Sequence, residues 1–313
     1  MQVIAMFPGQ GSQKPGMGKD LFDAYPEARA AFEAVDDAVG APISRLCFEG
    51  PEAELTSTQN AQPALLAHGA AAWAVVRNAL SAKTVAACGH SLGEFTAYHA
   101  ADALELAHAA RLVRTRGDLM FTSGTRRPGA MAAILGLSEE KVEDACKTAS
   151  AESGTVVPAN YNTPEQLVIS GEVAGVERAM ALCKDAGAKR ALRLNVSGAF
   201  HSPLMIDAAD GFRDALAMTT FRDPRFPVYS NVTTEPVGDA AEIQSKLLQQ
   251  LTSPVRWTQE VQRIAAEHPG ALWVELGPGS VLSNLVKRIV PGAQTITAGT
   301  ASELETLTAK VNS

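Results

Sequence analysis

Ser91 stands within Gly89-His90-Ser91-Leu92-Gly93-Glu94, a Gly-x-Ser-x-Gly pattern. Small apolar residues Val85, Ala86, Ala87 and Cys88 precede it as a buried strand would, and Glu94 to Leu106 can follow as a helix. A serine between such elements sits on a sharp turn with its hydroxyl presented for attack. Gly89 and Gly93 omit the Cβ atoms that would collide where strand meets helix. The helix N-terminus offers N–H donors and partial positive charge to a developing oxyanion. The chemistry this allows is transfer of an acyl group through a serine ester. The five-residue pattern alone also fits an ordinary tight turn, so its strand and helix context carries the reading.

A serine hydroxyl is a weak nucleophile unless a base takes its proton. The chain has six histidines. His90 adjoins Ser91, but neighbours on an elbow point in different directions. His68, His99 and His108 fall within helical patterns and fit core or surface positions. His201 lies in Gly198-Ala199-Phe200-His201-Ser202-Pro203, where a side chain can be aimed at a cleft; His268 ends a helix in Glu267-His268-Pro269, a capping or surface setting. The residues favour His201.

The elements that must hold these groups alternate in α/β fashion. Val3 to Phe7 forms a buried strand that runs into the glycine-rich loop Pro8-Gly9-Gln10-Gly11-Ser12-Gln13, which lacks the Gly-Lys-Ser/Thr ending of a phosphate loop. A loop after a central strand is where an α/β sheet keeps its site. Helical patterns follow at 20–38, and an apolar helix reaches Leu80 with Pro63 near its first turn. Gln62 at its start fits a cap or a core hydrogen-bonder. Leu106 to Thr122 is helical and puts Arg111 and Arg114 on one face, with Arg116 turned elsewhere.

From Pro128 onward the pattern is strand Ala130–Leu135, a helix capped by Ser138, strands Val156–Asn160 and Gln166–Ser170, helix Val173–Ala186 and strand Ala191–Val196. That βαββαβ order predicts a ferredoxin-like small domain over 128–197. It is inserted into a large α/β-hydrolase-like domain, with a mostly parallel sheet, made of residues 1–127 and 198–313. Strand and helix alternation resumes after Pro203, with Pro227–Asn231 and Leu272–Leu276 as strands.

Composition narrows the class. No apolar run approaches the roughly 20 residues that span a bilayer, and Met1 to Phe7 lacks a basic leader, so a cytoplasmic protein without membrane attachment is expected. The four cysteines are widely spaced in apolar settings, which predicts reduced core thiols and neither disulfide nor metal site. A net charge of −7 argues against general nucleic-acid binding.

Several separated motifs together resemble the malonyl-CoA:acyl carrier protein transacylase family. They are Gly9-Gln10-Gly11-Ser12-Gln13, Gln62-Pro63, the Ser91 elbow, Arg116-Gly117 with Met120, the His201 junction and Gly277-Pro278-Gly279, in order along essentially the whole chain. The resemblance implies Ser91 as the acylated nucleophile and His201 as its base. The oxyanion hole would come from the N–H groups of Gln10 and Leu92, and a carbonyl at Gln250 would orient the histidine in place of an acid. Arg116 would pair with the free carboxylate of malonate, a task suited to a planar guanidinium. Gln62 and Phe200 would line the substrate site, with Phe200 leaving little room for a methyl branch. Asn160 and Asn162 match a motif facing the cleft, although asparagines before Thr-Pro also form turns. Neither metal nor bound cofactor is implied. The implied partners are malonyl-CoA and a holo acyl carrier protein, with the enzyme a monomer. Docking candidates for an acidic carrier are Arg126, Arg127, Lys189, Arg190, Lys287 and Arg288. Thr125-Arg126-Arg127-Pro128-Gly129 departs from the family's usual Pro-Gly-Gly, and Ile206-Asp207 lacks a common proline.

Two other readings compete. A serine hydrolase such as an acyl-CoA thioesterase would use Ser91, Asp239 and His268, an order that suits an α/β hydrolase. A non-catalytic acyl-binding subunit would leave the elbow unused.

Overall fold

Among the described residues, ten strands lie in chain order as β1 Val3–Phe7, β2 Thr84–Gly89, β3 Gly129–Leu135, β4 Val156–Thr163, β5 Gln166–Glu172, β6 Arg190–Arg193, β7 Val228–Tyr229, β8 Pro236–Val237, β9 Leu272–Glu275 and β10 Thr295–Thr297. The computed structural model describes residues 1–196 and 198–312, so the expected boundary at Ser197 lies outside the described residues.

The larger sheet has the order β10-β9-β1-β2-β7-β8. It is parallel from β10 to β7, and only β8 runs against its neighbour. Strand β1 is central and buried throughout. Val3, Ala5 and Phe7 enter one core cluster while Ile4 and Met6 enter another on the opposite face. Burial on both faces is why β1 is an unbroken apolar run, with no polar alternation. The apolar helix Thr58–Leu80 and the helix Leu106–Arg126 cover the first face, and Trp257–Glu267 and Val281–Ile289 cover the second.

The second sheet, β4-β5-β3-β6, is antiparallel throughout. Helices Glu139–Ser153 and Val173–Asp185 cover one of its faces, onto which β3 turns Ala130, Ala132 and Ile134. Met131 and Val168 point the other way, into the main core. Strand β4 is stitched to the segment before the helix Trp257–Glu267, where Tyr161 N–H donates to the Val255 carbonyl at 2.9 Å and Val255 N–H to the Ala159 carbonyl at 2.8 Å.

Three expected elements are corrected. The apolar helix begins at Thr58, because the Asn60 and Ala61 N–H groups already close on the Ser57 carbonyl, so Pro63 falls in its second turn. The elbow helix stops at Ala100 and does not run to Leu106: Asp102 takes φ 59°, a left-handed conformation that aspartate tolerates, and pairs with Arg77 and Arg225. Strand β7 covers only Val228–Tyr229, which frees Asn231 to turn toward the elbow. All four cysteines are buried and unpaired. Among the described residues, no helix is long and apolar enough to cross a membrane.

Candidate active site

The elbow joins β2 to the helix Gly93–Ala100, at the carboxyl end of the parallel sheet. A Cβ at Gly89 would lie 2.0 Å from the Gly93 carbonyl carbon, and one at Gly93 would lie 1.9 Å from the Phe7 carbonyl oxygen, so both positions require glycine. Strand β1 pins the turn through the His90 N–H, which donates to the Phe7 carbonyl at 3.0 Å. Ser91 is held at φ 53°. A non-glycine residue in this region costs about 1–3 kcal/mol and persists where its surroundings over-determine it.

His201 reaches Ser91 from the junction after β6. Its Nε2 lies 2.8 Å from Ser91 Oγ, and its Nδ1 faces the carbonyls of Gln250 at 2.9 Å and Ser253 at 3.2 Å. Carbonyl oxygens only accept, so Nδ1 carries the proton and Nε2 presents a lone pair to the serine hydroxyl. His201 also takes a left-handed conformation, φ 57°. Burial, reinforced by the charge on Arg116, pushes its pKa down to about 3. The imidazole is therefore neutral and free to act as a base.

Arg116 is 1% exposed, turned inward from the Leu106–Arg126 helix. Its Nη1 donates to Gln62 Oε1 at 2.8 Å; its Nη2 donates to Gln250 Oε1 at 2.9 Å and to Ser91 Oγ at 3.0 Å. The guanidinium also lies over the Phe95 ring, 5.6 Å from its centroid. Burial lowers its pKa to about 10, opposed by nearby Glu94, so the cation persists at neutral pH. Arg111 stays exposed, and Arg114 pairs with Asp118 at 3.1 Å.

These groups line a cavity of about 120 Å³ together with Gln10, Leu92, Met120, Met131, Asn160, Leu194, Val196 and Phe200. Gln10 follows β1, and its side-chain amide donates to Thr58 Oγ1 at 3.3 Å. Gln62 ties the cavity floor together, since its Nε2 also donates to Met120 Sδ at 3.3 Å. Asn162 does not line the cavity: its Oδ1 lies 2.9 Å from Nε2 of His90, which itself lines the cavity and packs against Trp257. Asp239 caps the helix Ala240–Gln250 through the Glu242 N–H, and His268 caps the helix Trp257–Glu267. The structure thus brings His201, and neither Asp239 nor His268, to Ser91.

Reasoning from the sequence did not single out Glu94, Asn231 and Glu260, all fully buried beneath the elbow. Glu94 is part of the elbow motif, and its carboxylate was the available signal. Burial raises its pKa to about 7, opposed by hydrogen bonds from Asn231, Gln250 and Tyr98. Burial also pushes the Glu260 carboxyl well above the ordinary range.

A serine elbow on a parallel sheet, paired with a carbonyl-oriented histidine and a buried arginine, defines an acyl-transferring site. Residues 5–303 match the acyl transferase domain model, and the chain belongs to that family. It is similar to the malonyl CoA-acyl carrier protein transacylase of Bacillus subtilis, with 41% identity over 304 residues, 97% of this chain and 95% of the relative. The solved acyl-carrier-protein-S-malonyltransferase of Bartonella henselae superposes with a TM-score of 0.95 at 40% identity, covering 100% of both chains. A malonyl-transacylase solved in complex with its type II PKS acyl-carrier protein superposes at 0.94 and 40% identity, covering 99% of this chain and 100% of that one.

Proposed function

We propose that this chain transfers the malonyl group from malonyl-CoA to the phosphopantetheine thiol of an acyl carrier protein through a Ser91 ester. The names of its relatives and the carrier-bound structural neighbour support the reading. As Ser91 Oγ attacks the thioester carbonyl, His201 Nε2 takes its proton. The N–H groups of Gln10 and Leu92 receive the oxyanion, and collapse expels CoA as a thiol carrying the proton from His201. The carrier thiol then gives its proton to His201 and attacks the ester, and Ser91 recovers the proton as the malonyl thioester leaves. The reaction so written needs neither metal nor bound cofactor, and one chain supplies every group, in keeping with a monomer.

The observation that carries the substrate assignment is Arg116, a buried cation whose Nη2 lies 3.0 Å from the nucleophile. One methylene separates the malonyl carboxylate from the carbonyl under attack, so a guanidinium beside Ser91 Oγ is within its reach. Arg116 also depresses the basicity of His201. A carboxylate paired with Arg116 offsets that charge, so the malonyl group strengthens the base that acts on it, whereas an acetyl group leaves the cation unpaired. Asn160 and Phe200 shape the remaining wall, and Asn162 acts by holding His90.

Residues 128–197 are read as a ferredoxin-like small domain inserted into an α/β-hydrolase-like body of residues 1–127 and 198–313. The strand order β4-β5-β3-β6, with a helix after β3 and another after β5, supports this. The carrier would meet exposed cations. Arg126, Arg190 and Lys287 are exposed, Lys189 and Arg288 line one surface groove, and Arg127 already pairs with Glu172 at 2.7 Å.

Intact-mass measurement after mixing with malonyl-CoA or acetyl-CoA tests the proposal. The expected result is a malonyl adduct on Ser91 and little acetyl adduct. In Arg116→Ala, malonyl acylation is expected to fall by roughly 100-fold or more, about 2.7 kcal/mol, with acetyl acylation gaining relative to it. An unchanged malonyl preference would remove Arg116 from this role.

A further inference from the structure

Asn231 follows β7 and is fully buried. Its side chain spans the turn that carries the nucleophile: Oδ1 accepts from the Ser91 N–H at 2.7 Å, and Nδ2 donates to the Gly89 carbonyl at 2.8 Å. These two contacts fix the amide's orientation, because an N–H only donates and a carbonyl only accepts. Nδ2 also donates to Glu260 Oε2 at 2.8 Å, and the Asn231 backbone N–H donates to Glu94 Oε2 at 3.1 Å. Gln250 Nε2 joins the same group, donating to Glu94 Oε2 at 2.7 Å and to the Ser91 carbonyl at 3.0 Å. The Gln250 carbonyl in turn accepts from His201 Nδ1. One buried lattice of amides and carboxyls therefore reaches both members of the dyad from below.

Ser91 needs such a grip, because its left-handed φ of 53° is a conformation it would leave if the turn were released. Release would shift Oγ from His201 Nε2 and rotate the Leu92 N–H that follows. We propose that Asn231 is a positioning residue for the Ser91 nucleophile, with Glu260 the buried acceptor that holds its amide in place. The inference rests on Ser91 being the acylated residue. Asn231 does not line the cavity, so its effect belongs to the chemical step and leaves thioester binding unaltered. Burial keeps both Glu94 and Glu260 above the ordinary carboxylate range, which allows two acids to share this space.

Asn231→Asp tests this with little change in size: it keeps an acceptor for the Ser91 N–H and loses the donor to Gly89 and Glu260. The rate of Ser91 acylation at saturating malonyl-CoA, followed by rapid quench and intact mass, is expected to fall on the order of 100-fold. The half-saturating concentration should change by less than about threefold. Adding Glu260→Gln to that variant reverses the hydrogen bond between the two positions and should recover about fivefold or more. Melting temperatures measured in parallel separate this from a merely structural role. Acylation per folded molecule within about twofold of the unaltered protein would overturn the proposal, as would a double variant no faster than Asn231→Asp. If the unaltered protein itself takes no malonyl group on Ser91, the transacylase reading fails instead.

Discussion

Beneath Ser91, beyond the strands of the parallel sheet, lie Glu94, Asn231, Gln250 and Glu260, all fully buried and hydrogen-bonded to one another or to the elbow. The antiparallel sheet reaches the same cavity from the other side with Met131, Asn160 and, just past β6, Leu194 and Val196. The first side is polar and, from behind the cavity, is tied to Ser91 by donors and acceptors in the buried hydrogen-bond group. The other is largely apolar and shaped by volume. Chemistry that moves a proton and stabilises an oxyanion needs preorganised dipoles, whereas fitting an acyl chain needs space of the right size. The division implies that changes on the first wall alter rate and changes on the second alter which acyl group is accepted.

The largest effect should come from the polar wall. His201→Ala is expected to reduce Ser91 acylation by at least about 1,000-fold, while His268→Ala stays within about twofold, measured by single-turnover intact mass. Equal losses in the two variants would erase the distinction between a dyad residue and a helix cap. Phe200, buried beside His201 on the cavity wall, should show the intermediate effect. Phe200→Leu is expected to relax discrimination against a methyl-branched malonyl thioester by about tenfold, with the malonyl rate changed less than about threefold, in a competition assay. A large fall in the malonyl rate without a gain for the branched substrate would show that this side also sets rate.

The smallest effect concerns stability, and it comes from a histidine outside the cavity. Burial lowers the His68 pKa from 6.5 to about 4. The unfolded chain then binds a proton there that the folded chain refuses, so this contribution is complete above pH 6.5 and is lost as pH falls toward 4. The slope approaches about 1.4 kcal/mol per pH unit for one group. Glu94 acts oppositely: with its pKa raised from 4.5 to about 7, its contribution is lost as pH rises through that window. His68→Leu should therefore lose less melting temperature than the unaltered protein between pH 7 and pH 5, by roughly 2 °C in scanning fluorimetry. An identical loss in both would mean His68 does not titrate on unfolding.

Local pattern made much of this architecture legible. The apolar run of β1, the βαββαβ order after Pro128 and the inward turn of Arg116 away from Arg111 and Arg114 all follow from periods that neighbouring residues set. The elbow is legible for the same reason, since its two glycines stand where strand and helix touch. The break at Asp102 was not, because the arginines it pairs with, Arg77 and Arg225, are distant in sequence. Nor was the buried lattice: Ser91 and Asn231 are 140 positions apart and Arg116 and Gln250 are 134 apart, so no local spacing announces either contact. Asn162 illustrates the converse, for its motif points to the cleft while its side chain is taken by His90.

The most direct test of the account is to mix the protein with malonyl-CoA labelled in the malonyl group and an excess of holo acyl carrier protein, then follow the label. Label appearing on the carrier thiol in step with CoA release, and abolished by Ser91→Ala, is the predicted result. Label released as free malonate at the same rate with or without the carrier would contradict it and return the chain to the hydrolases.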